Sequence, residues 1–367
     1  MTRVTRVSRS AVLVLLAAVF FPIAALGDPI TVSGVPQKGA LPTMITAFAN
    51  QAGTDVLPAG ATDYYVFTLF DTGSTRVYFD NSTAATLGVS NGMITDVRIN
   101  GLGAIHPVTL TAPIYAGQAQ AEVQDVPVAL PASPPDITLI GGPVTNEVKA
   151  VIDYTTTITR GPYAYLGGQS ASGPDITFYS ATGTPTFNPA IDLSLQAFGS
   201  TGAGLGQRYW MYDVSFNEGA SSVASPGASD MSGTHTRFLY DTGTNVTLIR
   251  DIWAATLGLT GTPDFTMTVD GTLLNGYYLD SITMTGVGGT FTVLGAPVLV
   301  TSSALGGSAD AIIGSNLFAQ NRLLFDGSGA TLSIEGPTVP EPSTLVLVGL
   351  GMAGVIRRLR RAARHRQ

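Results

Sequence analysis

The chain has 367 residues, which is enough for two lobes that each have a hydrophobic core. Hydrophobic residues make up 45% and charged residues 12%, while 43 Gly and 22 Pro indicate many turns and argue against long helices. Residues 28–339 carry 9 Lys and Arg against 24 Asp and Glu, a net charge of −15, which argues against nucleic acid as a partner.

The first 27 residues have the pattern of a secretory signal peptide. Three Arg residues precede the apolar run AVLVLLAAVFFPIAAL, and the small residues Ala25 and Gly27 come just before Asp28. We therefore predict cleavage by signal peptidase before Asp28. A retained N-terminal anchor is the alternative, although the apolar run is short for a membrane span. Residues 28–60 are either a propeptide or the first strands of the fold.

A strand that ends in Asp-Thr-Gly-hydroxyl follows. The β-branched and aromatic run Tyr64–Phe70 predicts a strand that reaches Asp71, and Thr72, Gly73 and Ser74 predict a tight loop after it. The sequence TRVYF at residues 75–79 predicts a second strand. A short helix follows, with Gly88 at its C-terminal end.

The middle of the chain is rich in Gly and Ser. The stretches GGQSASGPD (residues 167–175) and FGSTGAGLG (residues 198–206) predict surface loops and a linker between lobes. We therefore predict an N-terminal lobe over residues 28–160 and a C-terminal lobe over residues 161–337.

The same motif then recurs. Residues 239–244 read LYDTGT, so that Asp241, Thr242, Gly243 and Thr244 repeat the first motif 170 positions later. The sequence AATLG follows both copies, at residues 84–88 and 254–258. The second copy predicts strands at Phe238–Tyr240 and residues 245–249, then a helix with Asp251 as its cap and Gly258 after its end.

A third landmark completes the repeat. Gly141 in LIGGPVTNEVKAVIDY (residues 139–154) corresponds to Gly314 in IIGSNLFAQNRLLFDG (residues 312–327), at an offset of 173 positions. Three landmarks in the same order indicate an internal duplication of about residues 40–155 and 205–335. Alternating apolar residues between the landmarks, as in residues 267–284, predict β-hairpins, so the fold class is all-β.

The last 30 residues, 338–367, predict a sorting tail. Pro340-Glu341-Pro342 precedes a short apolar run at residues 344–356, and six Arg follow. The pattern resembles the PEP-CTERM signal of Gram-negative bacteria, which implies processing by an exosortase in the inner membrane. The resemblance also implies export to the cell surface or extracellular matrix. The GxGxxG at residues 349–354 is not expected to be a dinucleotide site, because such a site needs a helix, a second strand and an acidic residue after it, and the 13 residues that follow are almost all basic or small.

An Asp at the end of a strand in each copy of the repeat indicates acid–base chemistry by a pair of carboxyls. Two carboxyls that meet across a pseudo-twofold axis cannot both ionise at low cost, and therefore share a proton. The ionised group can then activate water while the protonated group polarises a carbonyl. This chemistry needs no metal or cofactor, and the chain has no Cys and only three His. The alternative for each Asp alone is a turn cap.

These motifs resemble those of the two-lobed, pepsin-like aspartic peptidases. The resemblance rests on Asp71–Ser74, Asp241–Thr244 and the apolar-Gly strands that end at Gly141 and Gly314. It implies a bilobal all-β fold with a cleft, catalytic roles for Asp71 and Asp241, and hydrolysis of a polypeptide substrate by a monomer. Thr72, Gly73, Ser74, Thr242, Gly243 and Thr244 are expected to support the two carboxyls. The hydroxyls of Ser74 and Thr244 would donate hydrogen bonds to them, and the two Thr would bond across the axis.

The family's flap has only a loose match here. Tyr115 in IYAGQ is the candidate, and the Gly-Leu-Gly at residues 101–103 is a second possible tip. The alternative function is therefore a catalytically silent surface or matrix binding protein on the same scaffold.

Overall fold

The structure is a computed structural model. It describes residues 30–49, 66–79, 96–99, 108–111, 114–116, 138–163, 169–199, 205–227, 236–269, 271–303, 305 and 309–335. The predicted signal peptide, the helix expected after residue 79, the second candidate flap tip and the tail all lie outside these residues. The predicted lobe boundaries stay predictions.

Within the described residues the chain forms 22 strands, two short α-helices and one 3-10 helix. The first ten strands are β1 Ile30–Ser33, β2 Thr43–Ala49, β3 Val66–Phe70, β4 Val77–Phe79, β5 Asp96–Ile99, β6 Val108–Thr111, β7 Ile114–Ala116, β8 Thr138–Ile140, β9 Val148–Tyr163 and β10 Gln169–Ser180. The next six strands are β11 Pro189–Phe198, β12 Arg208–Met211, β13 Val214–Glu218, β14 Ser221–Ala224, β15 Phe238–Tyr240 and β16 Leu248–Arg250. The last six are β17 Phe265–Val269, β18 Thr272–Gly286, β19 Gly289–Thr301, β20 Ala311–Ile313, β21 Arg322–Asp326 and β22 Thr331–Glu335. The helices are α1 Gly142–Thr145, α2 Asp251–Thr256 and the 3-10 helix Ser315–Phe318.

Two mixed sheets contain these strands. The first has the order β6-β5-β2-β3-β8-β4-β7 and belongs to the first half of the chain. The second runs β10-β9-β21-β22-β11-β12-β15-β20-β16-β19-β18-β13-β14, with β1 and β17 attached at β19 and β18. In the second sheet, β9 from the first half pairs with β21 from the second half, so the halves share backbone hydrogen bonds.

The repeat in the sequence is a repeat in topology. β3 pairs parallel with β8, and β4 pairs antiparallel with β8 and parallel with β7. The second half copies this order, because β15 pairs parallel with β20, and β16 pairs antiparallel with β20 and parallel with β19. The predicted all-β fold, with two halves that repeat one arrangement of strands, is confirmed.

Large apolar side chains fill the space directly behind the two Asp-bearing loops. Phe70 ends β3 and lies edge-on to Phe178 at 5.5 Å and to Phe325 at 6.0 Å between ring centroids. Tyr240 ends β15 and lies 6.0 Å from both Phe318 and Phe325. One continuous core therefore supports both strand ends, and burial of such rings is the largest stabilising term available to a chain without disulfides.

The structure corrects the reading of the Gly-rich stretch at residues 167–175. We predicted a surface loop there, but β10 begins at Gln169 and pairs with β9. A Cβ at Gly173 would lie 2.7 Å from the carbonyl oxygen of Leu41, so this glycine allows a strand to cross the chain closely. Residues 30–49 form β1 and β2, which are paired with β19 and β3, as expected if they are first strands.

Candidate active site

Each DTG motif lies at the carboxyl end of a strand. The amide of Asp71 donates to the carbonyl oxygen of Ile140 at 3.0 Å, and that of Asp241 donates to Ile313 at 3.1 Å. These bonds continue the parallel pairings of β3 with β8 and β15 with β20 by one residue. The neighbouring strand thus holds each Asp backbone in place.

Gly141 and Gly314 allow the loops to close. A Cβ at Gly141 would lie 2.7 Å from the carbonyl oxygen of Ser74, and one at Gly314 would lie 2.9 Å from that of Thr244. The same carbonyls accept hydrogen bonds from the amides of Gly142 and Ser315. Only glycine fits so close to another backbone, which explains why both landmarks end in this residue.

The two loops meet, and each glycine of one loop touches the carboxylate of the other. A Cβ on Gly73 would lie 2.6 Å from both carboxylate oxygens of Asp241. A Cβ on Gly243 would lie 2.6 and 2.7 Å from those of Asp71. The structure therefore brings the two predicted acids, 170 residues apart, into one site.

Buried threonines fasten the loops together. The Thr72 amide donates to the Thr242 hydroxyl at 3.1 Å, and the Thr242 amide donates to the Thr72 hydroxyl at 3.0 Å. The Thr72 hydroxyl in turn donates to the carbonyl of Tyr240 at 3.2 Å, and the Thr242 hydroxyl to that of Phe70 at 2.7 Å. The threonines thus bond across the axis as expected. The network fixes the position of one loop relative to the other.

The fourth residue of each motif behaves differently in the two halves. The Thr244 hydroxyl donates to Oδ2 of Asp241 at 2.8 Å, as expected. The Ser74 hydroxyl instead donates to the carbonyl of Arg76 at 3.0 Å, and only the Ser74 amide reaches Asp71, at 3.1 Å from Oδ1. The expectation that both hydroxyls donate to carboxylates is therefore wrong for Ser74. The single hydroxyl proton of Ser74 is used by the carbonyl of Arg76 and cannot reach Asp71 at the same time.

Burial raises the pKa of the Asp71 carboxyl well above its usual range. The charge of Asp241 and the hydrogen bond to Asp241 raise this pKa further, while the amides of Gly73 and Ser74 act in the opposite direction. Two close carboxyls that share a proton behave in this way, and such a pair can act as acid and base in one step.

The sequence analysis did not predict two buried phenols near Asp241. Tyr154 on β9 and Tyr240 on β15 are 6% and 1% exposed, and neither hydroxyl has a hydrogen-bond partner in the described structure. Burial raises the pKa of both phenols, and the charge of Asp241 raises it further. The signal for Tyr240 was visible, because LYDTG differs from LFDTG at this position. Tyr154 had no signal, since the fold alone brings β9 to the site.

The candidate flap residue lies in a strand. Tyr115 is the middle residue of β7, which pairs parallel with β4 through Tyr78. The hairpin in this region is β5–β6, and its connection at residues 100–107 lies outside the described residues. The flap role of Tyr115 stays a prediction. In the described part of the chain, no three His, Cys, Asp or Glu side chains are grouped as metal ligands would be.

Comparison with known proteins adds two findings. A model of the PEP-CTERM protein-sorting motif matches residues 338–361, which confirms the predicted sorting motif and marks an exported protein handled by exosortase-type machinery. A search of curated proteins found no match. Within the residues described, no helix is long and apolar enough to cross a membrane.

Solved structures with a similar fold include basic 7S globulin from soybean, at 10% identity and a TM-score of 0.40, over 82% of this chain and 98% of that chain. Aspartic proteinase from Irpex lacteus is similar at 14% identity and a TM-score of 0.40, over 83% and 98%. The protein edgp is similar at 9% identity and a TM-score of 0.39, over 82% and 96%. The assignment of a reaction therefore depends on the geometry of the site.

Proposed function

We propose that the protein is an exported aspartic endopeptidase that hydrolyses peptide bonds by activating water between Asp71 and Asp241. The observation that carries this proposal is the reciprocal contact of Gly73 with Asp241 and of Gly243 with Asp71, which puts both carboxyls in one place. Tyr115, or a residue of the β5–β6 connection, would cover the substrate.

The chemistry follows from the shared proton. A pair that holds one proton contains both a base for water and an acid for the substrate carbonyl, and it loses this capacity when both groups are protonated or both are ionised. The raised pKa of Asp71 keeps a proton on the pair at higher pH. We expect a bell-shaped pH profile on the acidic side of neutrality, since the two limbs report the pair as a unit.

Incubation of the purified protein with casein and with a fluorogenic peptide library at pH 3–7 tests the proposal. We expect cleavage that pepstatin, a peptide inhibitor of such dyads, suppresses. Asp71→Asn should reduce the rate by about 10²- to 10⁴-fold, the usual contribution of acid–base catalysis. No cleavage by the folded wild-type protein, or cleavage that Asp71→Asn leaves intact, would contradict the proposal.

A catalytically silent surface or matrix binding protein is the second candidate. The placement of Tyr115 within β7, and not at a hairpin turn, favours it. This candidate predicts peptide or polysaccharide binding without turnover, and binding that Asp71→Asn preserves. If the variant lost binding together with cleavage, the silent alternative would fail.

Placement of the protein at the cell surface or in the extracellular matrix is part of the proposal. The sorting motif supports export, while removal of residues 1–27 by signal peptidase and action as a monomer remain expectations from the sequence. Detection of the protein on intact cells by surface biotinylation, with loss of the signal after deletion of residues 338–367, would support this location.

A further inference from the structure

We propose that a cavity on the outer face of the sheet formed by β9, β10, β21 and β22 binds a short stretch of a neutral oligosaccharide. The cavity has a volume of about 400 Å³, and small-ligand sites occupy about 300–1,000 Å³. Its walls come from these four strands and from the connection between β10 and β11 at residues 181–188. The inference does not depend on the proposed function, because no residue of the DTG loops lines this cavity.

The cavity lies on the side of the sheet that faces away from the two Asp-bearing loops. Side chains along a strand point alternately to opposite faces. Phe178 of β10 and Leu323 of β21 belong to the core, and Phe178 packs against Phe70 behind the first loop. Their chain neighbours Thr177 and Arg322 line the cavity on the other face. The sheet therefore separates the cavity from the site proposed for peptide hydrolysis.

Three charged side chains from neighbouring strands form a row at the cavity. Arg322 lies opposite Asp153 in the pairing of β21 with β9, and its Nε is 3.6 Å from Oδ2 of Asp153. Its Nη1 donates to Oε2 of Glu335 on β22 at 2.5 Å. The two carboxylates hold the planar guanidinium in one orientation. Arg322 and Glu335 both line the cavity, so the charges of its lining compensate each other while their hydrogen-bonding groups are fixed in position.

The remaining polar groups of the lining are available to a ligand. The hydroxyls of Thr177 and Thr186 and the side-chain amide of Asn188 have no hydrogen-bond partner within the described part of the chain. The backbone amide of Asn188 donates to Oε1 of Glu335 at 3.4 Å, which holds the connection at residues 181–188 against β22. The cavity thus offers fixed hydroxyl and amide groups that the fold itself does not use.

Two aromatic rings complete the lining. Phe187 and Tyr179 are both half-buried, and the guanidinium carbon of Arg322 lies 5.7 Å from the centroid of the Phe187 ring. A pyranose ring has C–H groups on its faces and hydroxyls around its edge. An aromatic surface beside planar amide, guanidinium and carboxylate groups matches both features.

The same lining disfavours other classes of ligand. An anion would meet Glu335 and would find Arg322 already paired with two carboxylates, whereas a cation would meet the guanidinium. An apolar ligand would bury the hydroxyls and the amide of the lining without partners, which is costly. A neutral ligand with many hydroxyls satisfies these groups and leaves the ion pairs intact.

Saturation-transfer NMR and calorimetric titration of the purified full chain test the proposal. The neutral probes are cellotetraose, maltotetraose, laminaritetraose and xylotetraose, and the charged probes are trigalacturonate and spermidine. We expect at least one neutral probe to bind, and each charged probe to bind more weakly than that one. No binding of any neutral probe at millimolar concentration, or tighter binding of a charged probe, would overturn the inference.

Three variants locate the site, each after circular dichroism has verified that it is folded. Phe187→Ala should weaken binding of the neutral probe by about tenfold or more, because the ring that packs on the sugar is lost. Asn188→Ala removes one exposed amide and should weaken it by about two- to tenfold. Tyr278→Ala is the matched control, since Tyr278 is an aromatic residue that is 43% exposed and does not line the cavity.

The control should bind the neutral probe as the wild type does. Equal affinities in Phe187→Ala and Tyr278→Ala, or wild-type affinity in Asn188→Ala, would overturn the assignment of the site. A wild type that binds the sugar but cleaves no peptide would refute the proposed function and leave this inference standing.

Discussion

At the scale of single residues, the equivalent positions Phe70 and Tyr240 show how the two halves have diverged. Both residues precede the Asp of a DTG motif and both are fully buried, but only Tyr240 adds a hydroxyl. That hydroxyl and the one of Tyr154 have no partner in the described structure. A buried hydroxyl without a partner costs about 1–3 kcal/mol relative to an apolar group of the same shape. The two hydroxyls near Asp241 therefore lower the free energy of unfolding.

The first prediction concerns these phenols. Tyr154→Phe and Tyr240→Phe should each raise the free energy of unfolding by about 1 kcal/mol, because each removes an unsatisfied buried hydroxyl. Urea denaturation measures the change. Tyr209→Phe is the control, since the Tyr209 hydroxyl donates to the carbonyl of Gly327 at 3.0 Å, and its loss should lower stability by about 1 kcal/mol. Destabilisation by all three substitutions would refute the argument.

The second prediction concerns the glycine that lies against Asp241. Gly73→Ala should abolish most peptide hydrolysis, by about 10²-fold or more, because the new methyl group would displace the carboxylate. Gly261→Ala is the control, since a Cβ at Gly261 meets no atom within 4 Å and its backbone angles are not restricted to glycine. The measurement is peptide hydrolysis by each variant, after circular dichroism has verified that the variant is folded. Full activity in Gly73→Ala would contradict the geometry.

At the scale of elements, the loops around the site explain which sequence predictions succeeded. The strands before Asp71 and Asp241 were predictable, because apolar β-branched and aromatic residues run to the motif. The strands after the loops begin later than predicted, at Val77 and Leu248. The cause is that Thr75 and Asn245 use their carbonyls to accept hydrogen bonds from Gly206 and Gly39. Such contacts between distant segments have no local signal.

The second helix shows a smaller difference. Asp251 was predicted as the cap, but it is the first residue of α2, and Arg250 is the N-cap. Its carboxylate still bonds an amide of the first turn, that of Ile252 at 2.8 Å. Gly258 has φ +82° just after the helix, as predicted for a C-terminal glycine. Residue chemistry thus located the helix to within one position, which is the normal uncertainty of helix ends.

The third prediction concerns the threonine network between the two loops. Thr72→Val should lower the free energy of unfolding by about 2–4 kcal/mol, because it leaves the Thr242 amide and the Tyr240 carbonyl buried without their partner. Thr72→Ser keeps the hydroxyl and should cost about 1 kcal/mol or less. Thermal or urea unfolding measures both. A loss in Thr72→Ser as large as that in Thr72→Val would assign the effect to the methyl group and not to the network.

At the scale of the whole molecule, the duplication determines both the arrangement of the strands and the meeting of the two Asp-bearing loops. The two halves contribute equivalent strands and loops, and the sheet that joins β9 to β21 holds them together. The order of landmarks predicted this pairing of halves, because repeated units in one chain tend to fold alike. The sequence could not show that Ser74 and Thr244 would differ in their hydrogen bonds, since both are hydroxyl residues at the same position.

The fourth prediction concerns stability and pH. The folded-state pKa of Asp71 is raised, so the native protein binds more protons than the unfolded chain, and the stabilisation is present at acidic pH and lost as pH rises through the raised pKa. The melting temperature should therefore fall as pH is raised from about 4, the range of an unfolded Asp, towards neutrality. In Asp71→Asn this fall should be largely absent. An equal pH dependence in wild type and variant would show that other groups cause it.

The most direct test of the central claim is the distance between the Asp71 and Asp241 carboxylate oxygens in a high-resolution crystal structure. We predict a closest oxygen–oxygen distance within hydrogen-bonding range, about 2.5–3.0 Å, with Gly73 and Gly243 against the opposite carboxylates. Side chains that point away from each other, with no oxygen of one acid within reach of the other, would contradict the account and remove the basis for a peptidase.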